Sequence, residues 1–309
     1  MARIEARGLS KRFGGKHAVR DVSFDVEPGR ITGFLGPNGS GKSTTMRLML
    51  GLDLGQGETR FDGETYRELA DPVRRVGALL DSGAFHPRRS ARDHLRMIAR
   101  GAGLPPSRAD EVLNQVGLGA VADRPPKGFS LGMNQRLGLA AALIGRPDTL
   151  LLDEPANGMD PQGMRWLRDF LEHYAAEGNT VFVSSHLLAD LEAFAEHVVV
   201  IGQGRLLADS PLKAFMAAHG VERVRVRTTE PEQLAAAVED AGGAVPERDG
   251  ERLTVTGLDV KAVAELAASR RLLVTELVAV SGSLEEAFLN ASAASVEYGT
   301  DQARIEVTR

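Results

Sequence analysis

Gly36-Pro37-Asn38-Gly39-Ser40-Gly41-Lys42-Ser43 fits the spacing G-x-x-x-x-G-K-[ST]. Glycines at these intervals let successive backbone N–H groups converge on one point without Cβ clashes, which makes a nest for an anion. A helix starting beyond them adds the partial positive charge of its N-terminus. In such a cradle Lys42 bridges the β- and γ-phosphates of a nucleoside triphosphate and the Ser43 hydroxyl ligates Mg²⁺. Thr44 extends the phosphate-binding run, which therefore covers residues 36–44. A second run, Leu150-Leu151-Leu152-Asp153-Glu154-Pro155, is apolar and ends in two carboxylates. At the carboxyl edge of a parallel sheet, Asp153 would hold Mg²⁺ directly or through water. Glu154 would take a proton from the attacking water, a general-base role worth about 10²–10⁴-fold.

These groups need elements to hold them. Ile31-Thr32-Gly33-Phe34-Leu35 reads as a buried strand feeding the glycine-rich segment, and residues 42–50 have helical character. Residues 19–26 alternate with period two and end at the turn signal Glu27-Pro28-Gly29. Strand and helix alternate again over residues 149–200, with Asp160-Pro161 as an N-cap followed by proline at the first helical position. Between these regions, residues 88–145 hold three helical stretches, broken at Gly103-Leu104-Pro105-Pro106 and Arg124-Pro125-Pro126. The pattern predicts an α/β fold with a mainly parallel sheet and a helical insertion. Gly202-Gln203-Gly204 reads as a hairpin turn. After about residue 220 the pattern starts afresh, with strands at 221–227, 252–256 and 272–280 and helices at 232–240 and 259–271. Counting Ala244-Val245-Pro246 as a short strand gives the order β-α-β-β-α-β, a small accessory α/β module over residues 219–290. Residues 291–309 are polar and read as a flexible tail.

Composition bounds what these groups can serve. The 309 residues suit one large domain with a small appendage. Against 37 basic groups stand 42 acidic ones, a net charge of −5, which offers no basic face, and no nucleic-acid partner is expected. There are no cysteines, so disulfides, thiolate nucleophiles and cysteine-ligated metals are excluded. Met1 to Gly8 lacks the apolar stretch of a secretory signal, and runs such as Val198-Val199-Val200-Ile201 fall far short of a membrane span of about 20 residues. A membrane role must come through a partner. His86, His94 and His197 show no paired helical spacing of a metal site and read as structural or surface groups.

In expected order around the two carboxylates, four further motifs occur, and with them the chain resembles the ATPase subunit of an ATP-binding cassette (ABC) transporter. Phe129-Ser130-Leu131-Gly132-Met133-Asn134-Gln135-Arg136 resembles the family signature, LSGGQ followed closely by Gln-Arg. Ala156-Asn157-Gly158-Met159-Asp160 resembles the D-loop, with Asp160 as its acid, and Ser184-Ser185-His186 the switch histidine. Phe13, in Leu9-Ser10-Lys11-Arg12-Phe13-Gly14, stands where the family stacks an aromatic ring on adenine. The match covers about residues 1–218. It implies a P-loop NTPase fold with an antiparallel β subdomain, ATP and Mg²⁺ as ligands, and Glu154 and His186 as catalytic residues. It also implies a site divided between two chains. Ser130, Gly132 and Gln135 would act on ATP held by another copy or by a homologous ATPase subunit, and the pair would drive a separately encoded polytopic permease from the cytoplasmic side of the membrane.

Two departures from the family pattern stand out. Leu131 and Met133 replace the usual glycine and glutamine of the signature, a form similar to exporters of the bacitracin-resistance type. Where the family has the Q-loop glutamine, after Val76-Gly77-Ala78-Leu79-Leu80, this chain has Asp81, a third metal candidate beside Ser43 and Asp153. The resemblance makes residues 81–97 the groove for the permease, with Phe85, His86 and Pro87 as contacts. It also likens Gly282-Ser283-Leu284-Glu285-Glu286-Ala287-Phe288-Leu289 to endings found in exporter ATPases. An ABC-type ATPase acting on nucleic acid or ribosomes, and a low-turnover regulatory ATP-binding module, are the rival readings at this point.

Overall fold

The computed structural model describes residues 2–81, 83, 85–86, 88–185, 188–280 and 282–293. His186 and Pro87 lie outside the described residues, as do residues 294–309 of the expected tail. The chain divides into two compact units, Met1–Leu212 and Lys213–Arg309.

The first unit opens with β1 (Ile4–Phe13), β2 (Lys16–Val26) and β3 (Ile31–Leu35), then α1 (Lys42–Met49), β4 (Gln56–Phe61), β5 (Glu64–Thr65), α2 (Pro72–Arg75) and β6 (Val76–Leu79). Three helices follow, α3 (Ala91–Gly101), α4 (Arg108–Gln115) and α5 (Leu131–Ala142), in the stretch where helices were expected. The chain returns through β7 (Thr149–Leu152), α6 (Pro161–Ala176), β8 (Thr180–Ser185), α7 (Leu188–Glu192), β9 (His197–Gly202) and β10 (Arg205–Pro211). Strands order as β10-β9-β3-β8-β7-β6 in one sheet and β2-β1-β4-β5 in the other. The larger sheet is parallel except for β10, which returns from β9 through the Gly202–Gly204 turn. The smaller sheet is antiparallel throughout.

Burial explains the apolar runs. Strands β3, β7 and β8 are buried at every position, as parallel strands covered on both faces must be. Phe24 of β2 stacks on Phe182 of β8 at 5.3 Å between centroids, and Phe34 of β3 on Phe182 at 4.9 Å. That aromatic triplet cements the two sheets and fixes the base of the β3 loop. Register then sets the site. Leu35 pairs with Ser185 and Leu152 with Val183, so the chain leaves β3, β7 and β8 at one sheet edge. This is the carboxyl edge, where open α/β sheets place their ligands. Helix α5 docks unusually close to β6, because a Cβ on Gly77 would lie 2.3 Å from the Ala142 carbonyl and one on Gly138 would lie 2.5 Å from Leu79.

In the helical insertion, His94 of α3 is buried, with the Phe85 ring edge-on at 4.9 Å. Burial first, and the Arg89 charge second, hold its imidazole below the ordinary value of 6.5. The unfolded chain therefore binds a proton at a higher pH than the folded one. Stability contributed by neutral His94 is complete above about pH 6.5 and falls as the pH drops toward the lowered folded value. Urea unfolding of His94→Leu at pH 7 and pH 5.5 should show a smaller acid loss than wild type; equal losses would dismiss His94 as the cause.

The second unit is entered through α8 (Leu212–His219) and contains β11 (Arg223–Thr228), α9 (Pro231–Asp240), β12 (Ala244–Asp249), β13 (Arg252–Thr256), α10 (Val260–Ser269) and β14 (Val274–Val280). Its antiparallel sheet runs β12-β13-β11-β14, and Val224, Val226, Leu253 and Val255 pack against Leu234, Val238, Val263 and Ala267 of the two helices. Pro246 is tolerated because β12 is an edge strand. Residues 291–293, expected in the tail, continue a helix over 284–293. Leu284, Ala287, Phe288 and Ala291 recur at helical spacing and are all buried, which outweighs the polar composition that suggested a tail.

Candidate active site

The glycine-rich loop leaves β3 at Gly36, and Gly39 and Gly41 adopt φ of 79° and 108°. Gly41 has a second constraint, since a Cβ there would lie 2.4 Å from the Ala18 carbonyl oxygen. It also opens α1 with no side-chain cap, so the first-turn N–H groups are left to an anion from outside the helix. Pro37, Asn38, Gly39 and Ser43 are exposed, whereas Lys42 is only 5% exposed. Its Nζ donates to the Gly36 carbonyl at 2.7 Å and lies 3.7 Å from Glu154 Oε1. With a longer bond to the Pro37 carbonyl at 3.4 Å, this buried ammonium is held by two loop carbonyls and one carboxylate, partners it can exchange for phosphate. Ser40 Oγ is buried in the loop with no partner among the described residues. Converging amides, one lysine and spare hydroxyls fit a triphosphate.

Glu154 follows β7 in the left-handed region, at φ 51°. For a non-glycine residue that conformation costs on the order of 1–3 kcal/mol, and the surroundings must hold it. They do so through the backbone. The Glu154 N–H donates to Ser184 Oγ at 3.0 Å, and Ser184 Oγ donates to Asp153 Oδ1 at 2.5 Å. On the other side, Gln135 Nε2 of α5 donates to the Glu154 carbonyl at 3.4 Å.

Ser130 is exposed and caps α5, its Oγ accepting from the Met133 N–H at 3.2 Å. A Cβ on Gly132 would lie 3.1 Å from the Gly158 carbonyl, so the signature touches the D-loop of its own chain. At Gly158 a Cβ would lie 2.2 Å from Leu131, which places the unusual signature leucine over a glycine of the D-loop. Asp160 caps α6, accepting from the Gly163 N–H at 2.7 Å. Gln135, grouped with Ser130 and Gly132 by the resemblance, faces inward within its own chain. It is buried, and its Nε2 reaches the carboxylate edge of its own chain at the Glu154 carbonyl.

Phe13 is 54% exposed at the end of β1, and Lys11 Nζ lies 4.9 Å over its ring. Asp81 is exposed and accepts the Gly83 N–H at 2.7 Å, a turn within its own loop. The donors near the carboxyl edge are the Ser43 hydroxyl and the Asp153 carboxylate, hard oxygen ligands of the kind Mg²⁺ takes. No cluster of three or more His, Asp or Glu side chains that could hold a metal exists among the described residues, so such an ion would draw its remaining ligands from phosphate and water. Ser184 was not singled out from the sequence; the signal was a hydroxyl ending the otherwise apolar strand Thr180-Val181-Phe182-Val183.

Comparisons with known proteins agree with this geometry. Residues 19–157 match the family described as ABC transporter, and residues 222–285 match a domain of unknown function, DUF8746. The chain is 33% identical to the uncharacterized ABC transporter ATP-binding protein YhcH of Bacillus subtilis (strain 168), over 93% of this chain and 94% of that one. It is 39% identical to the bacitracin transport ATP-binding protein BcrA of Bacillus licheniformis, over 67% of this chain and 69% of that one. The lantibiotic transport ATP-binding protein SrtF of Streptococcus pyogenes is 35% identical, over 67% of this chain and 90% of that one. A solved ATP-binding subunit of an ABC transporter superposes with a TM-score of 0.63 at 25% identity, covering 70% of this chain and 92% of that one. No helix among the described residues is long and apolar enough to cross a membrane. The chain belongs to the ATP-binding subunits of ABC transporters, ATPases whose hydrolysis is coupled to transport.

Proposed function

We propose that two such subunits, two copies of this chain or one copy and a homologue, close around ATP to drive a separate polytopic permease that exports an antibiotic or drug. What carries this reading is the distribution of parts. Lys42 and Glu154 meet within one chain, at 3.7 Å, while Ser130 is exposed at a helix N-terminus and makes its cap bond within α5. Each chain thus brings a phosphate loop and a carboxylate for one nucleotide and a signature helix for another.

Entering phosphate draws Lys42 from the Gly36 carbonyl and from Glu154. Glu154 then accepts a proton from the water that attacks the γ-phosphorus, and Lys42 balances charge on the transferring group. Magnesium, held by Ser43 and Asp153, would supply charge neutralisation on the phosphates. The signature residues Ser130 and Gly132 of the facing subunit present their helix N-terminus to the γ-phosphate, so hydrolysis removes what holds the pair together. His186 serves as the switch histidine. Asp81 stands in the Q-loop position as a further metal candidate. Residues 1–218 form the ATPase domain, with a helical subdomain over 88–145 whose approach, residues 81–97 including Phe85 and His86, receives the permease. Residues 219–290 form an accessory module. The subunit works on the cytoplasmic face of the membrane, held there by its permease.

Export of an antibiotic rests on relatives named for bacitracin and lantibiotic transport. The test is whether the tagged chain co-purifies with a polytopic membrane protein. A stable complex whose ATP turnover rises with the antibiotic supports the reading; a chain that associates instead with ribosomes or nucleic acid refutes it.

Phe13 supplies a smaller test. Base–aromatic stacking is worth about 1–3 kcal/mol, so Phe13→Ala should raise the Kd for ATP roughly 5- to 100-fold. Inorganic triphosphate, which has no base, should bind unchanged. Equal losses for both ligands would remove Phe13 from the adenine site.

A further inference from the structure

We infer that Ser184 is a positioning residue for hydrolysis, holding Glu154 in a conformation its own backbone disfavours. The inference rests on Glu154 being the general base. Ser184 is fully buried at the carboxyl end of β8, and its single hydroxyl does two things at once. It accepts the Glu154 N–H at 3.0 Å and donates to Asp153 Oδ1 at 2.5 Å. The first bond pins a residue at φ 51°, a left-handed conformation that costs a non-glycine backbone about 1–2 kcal/mol. The second orients the neighbouring carboxylate, so one hydroxyl sets the relation between the two acids. Gln135 holds the opposite end of the same residue, through the carbonyl at 3.4 Å. Glu154 is thereby gripped at both its N–H and its C=O by side chains of β8 and α5.

The arrangement also explains the residue type. A hydroxyl donates and accepts from one atom, which alanine and valine cannot do. Without it the Glu154 N–H and Asp153 Oδ1 both lose a partner, and residue 154 is held only through its carbonyl, by Gln135 and the Asn157 N–H. A carboxylate displaced by about 1 Å from its water costs on the order of 10²-fold in rate. Binding of the triphosphate, which rests chiefly on Lys42 and the amides of the loop, should change far less than turnover.

Three variants test this, with kcat, the Kd for ATP and thermal unfolding measured for each. Ser184→Ala should lose about 10- to 100-fold in kcat with the Kd for ATP within about twofold of wild type. Ser184→Thr keeps the hydroxyl and adds one methyl at a residue that lines, with Leu167 and Leu191, an open pocket of about 270 Å³. It should recover most of the activity. Ser184→Val has the shape of threonine without the hydroxyl and should behave as alanine does. In a Glu154→Gln background, Ser184→Ala should lower turnover no further. The inference is overturned if valine matches threonine, or if the alanine variant loses ATP affinity in step with kcat. Wild-type kcat in Ser184→Ala beside an inactive Glu154→Gln would overturn it alone, whereas wild-type turnover in Glu154→Gln would overturn the reading of Glu154 itself.

Discussion

Glu154→Gln should bind ATP as tightly as wild type and hydrolyse it at least about 10²-fold more slowly. The amide keeps the size of the carboxylate and the backbone bonds to Ser184 and Gln135, which involve only the main chain of residue 154. What it loses is the capacity to take a proton from water. It also relieves Lys42 of a carboxylate at 3.7 Å, freeing the ammonium for phosphate, so affinity for ATP should hold or rise. Turnover by malachite-green phosphate release and affinity by calorimetry check both halves. Normal turnover in this variant would take Glu154 out of the mechanism.

Lys42→Ala should fail earlier in the cycle, at binding. A charge-assisted hydrogen bond to phosphate is worth about 1.5–3 kcal/mol, which converts to roughly a 10- to 100-fold rise in the Kd for ATP. The loop itself should persist, because its path is set by the conformations of Gly39 and Gly41 and by the close approach of Gly41 to Ala18, none of which involves the lysine. Removing a buried cation also leaves the Gly36 carbonyl without its donor, so some loss of thermal stability accompanies the lost affinity. The two variants therefore separate along one pathway, with Glu154→Gln binding without turning over and Lys42→Ala barely binding. Unchanged nucleotide affinity in Lys42→Ala would refute the role of the loop lysine.

The parts of this site that were legible in the sequence are those fixed by local chemistry. Glycine spacing announces the 36–44 loop because few other residues reach φ of 79° or 108° there. The apolar run ending in Asp153 and Glu154 announces a buried strand reaching the sheet edge, and the helix capped by Ser130 was readable from its motif. The six-element order of the second unit was visible in its alternating patterns, including an edge strand interrupted by Pro246. Properties set by tertiary packing were not legible. Gln135 belongs to the signature by sequence, and the close docking of α5 on Gly77 lets it also reach its own Glu154. Ser184 gained its place from the register of β8 against β7, a long-range property that a short motif does not encode. Strands β4 and β5 were missed because Gln56-Gly57-Glu58-Thr59-Arg60-Phe61 is largely polar, and the strand forms by pairing with β1 more than by burying an apolar face.

The signature departure at position 131 illustrates the same division. By sequence, leucine in the signature is a variant similar to that of exporters of the bacitracin-resistance type. The fold places it over Gly158, where any side chain would collide with it, so the pair is complementary. Signature and D-loop thus form one packed corner beside the carboxylates, and a change in either should be felt by both.

The division of each ATP site between two subunits is tested most directly by sedimentation velocity of Glu154→Gln with and without ATP. Without nucleotide the chain should sediment at its own mass. With ATP it should sediment at twice that mass, carrying two nucleotides per pair, and a bulky Ser130→Arg substitution should abolish the heavier species while leaving ATP bound. A monomer that binds ATP stoichiometrically, or a dimer indifferent to Ser130→Arg, would contradict a site built from the loop of one subunit and the signature of the other.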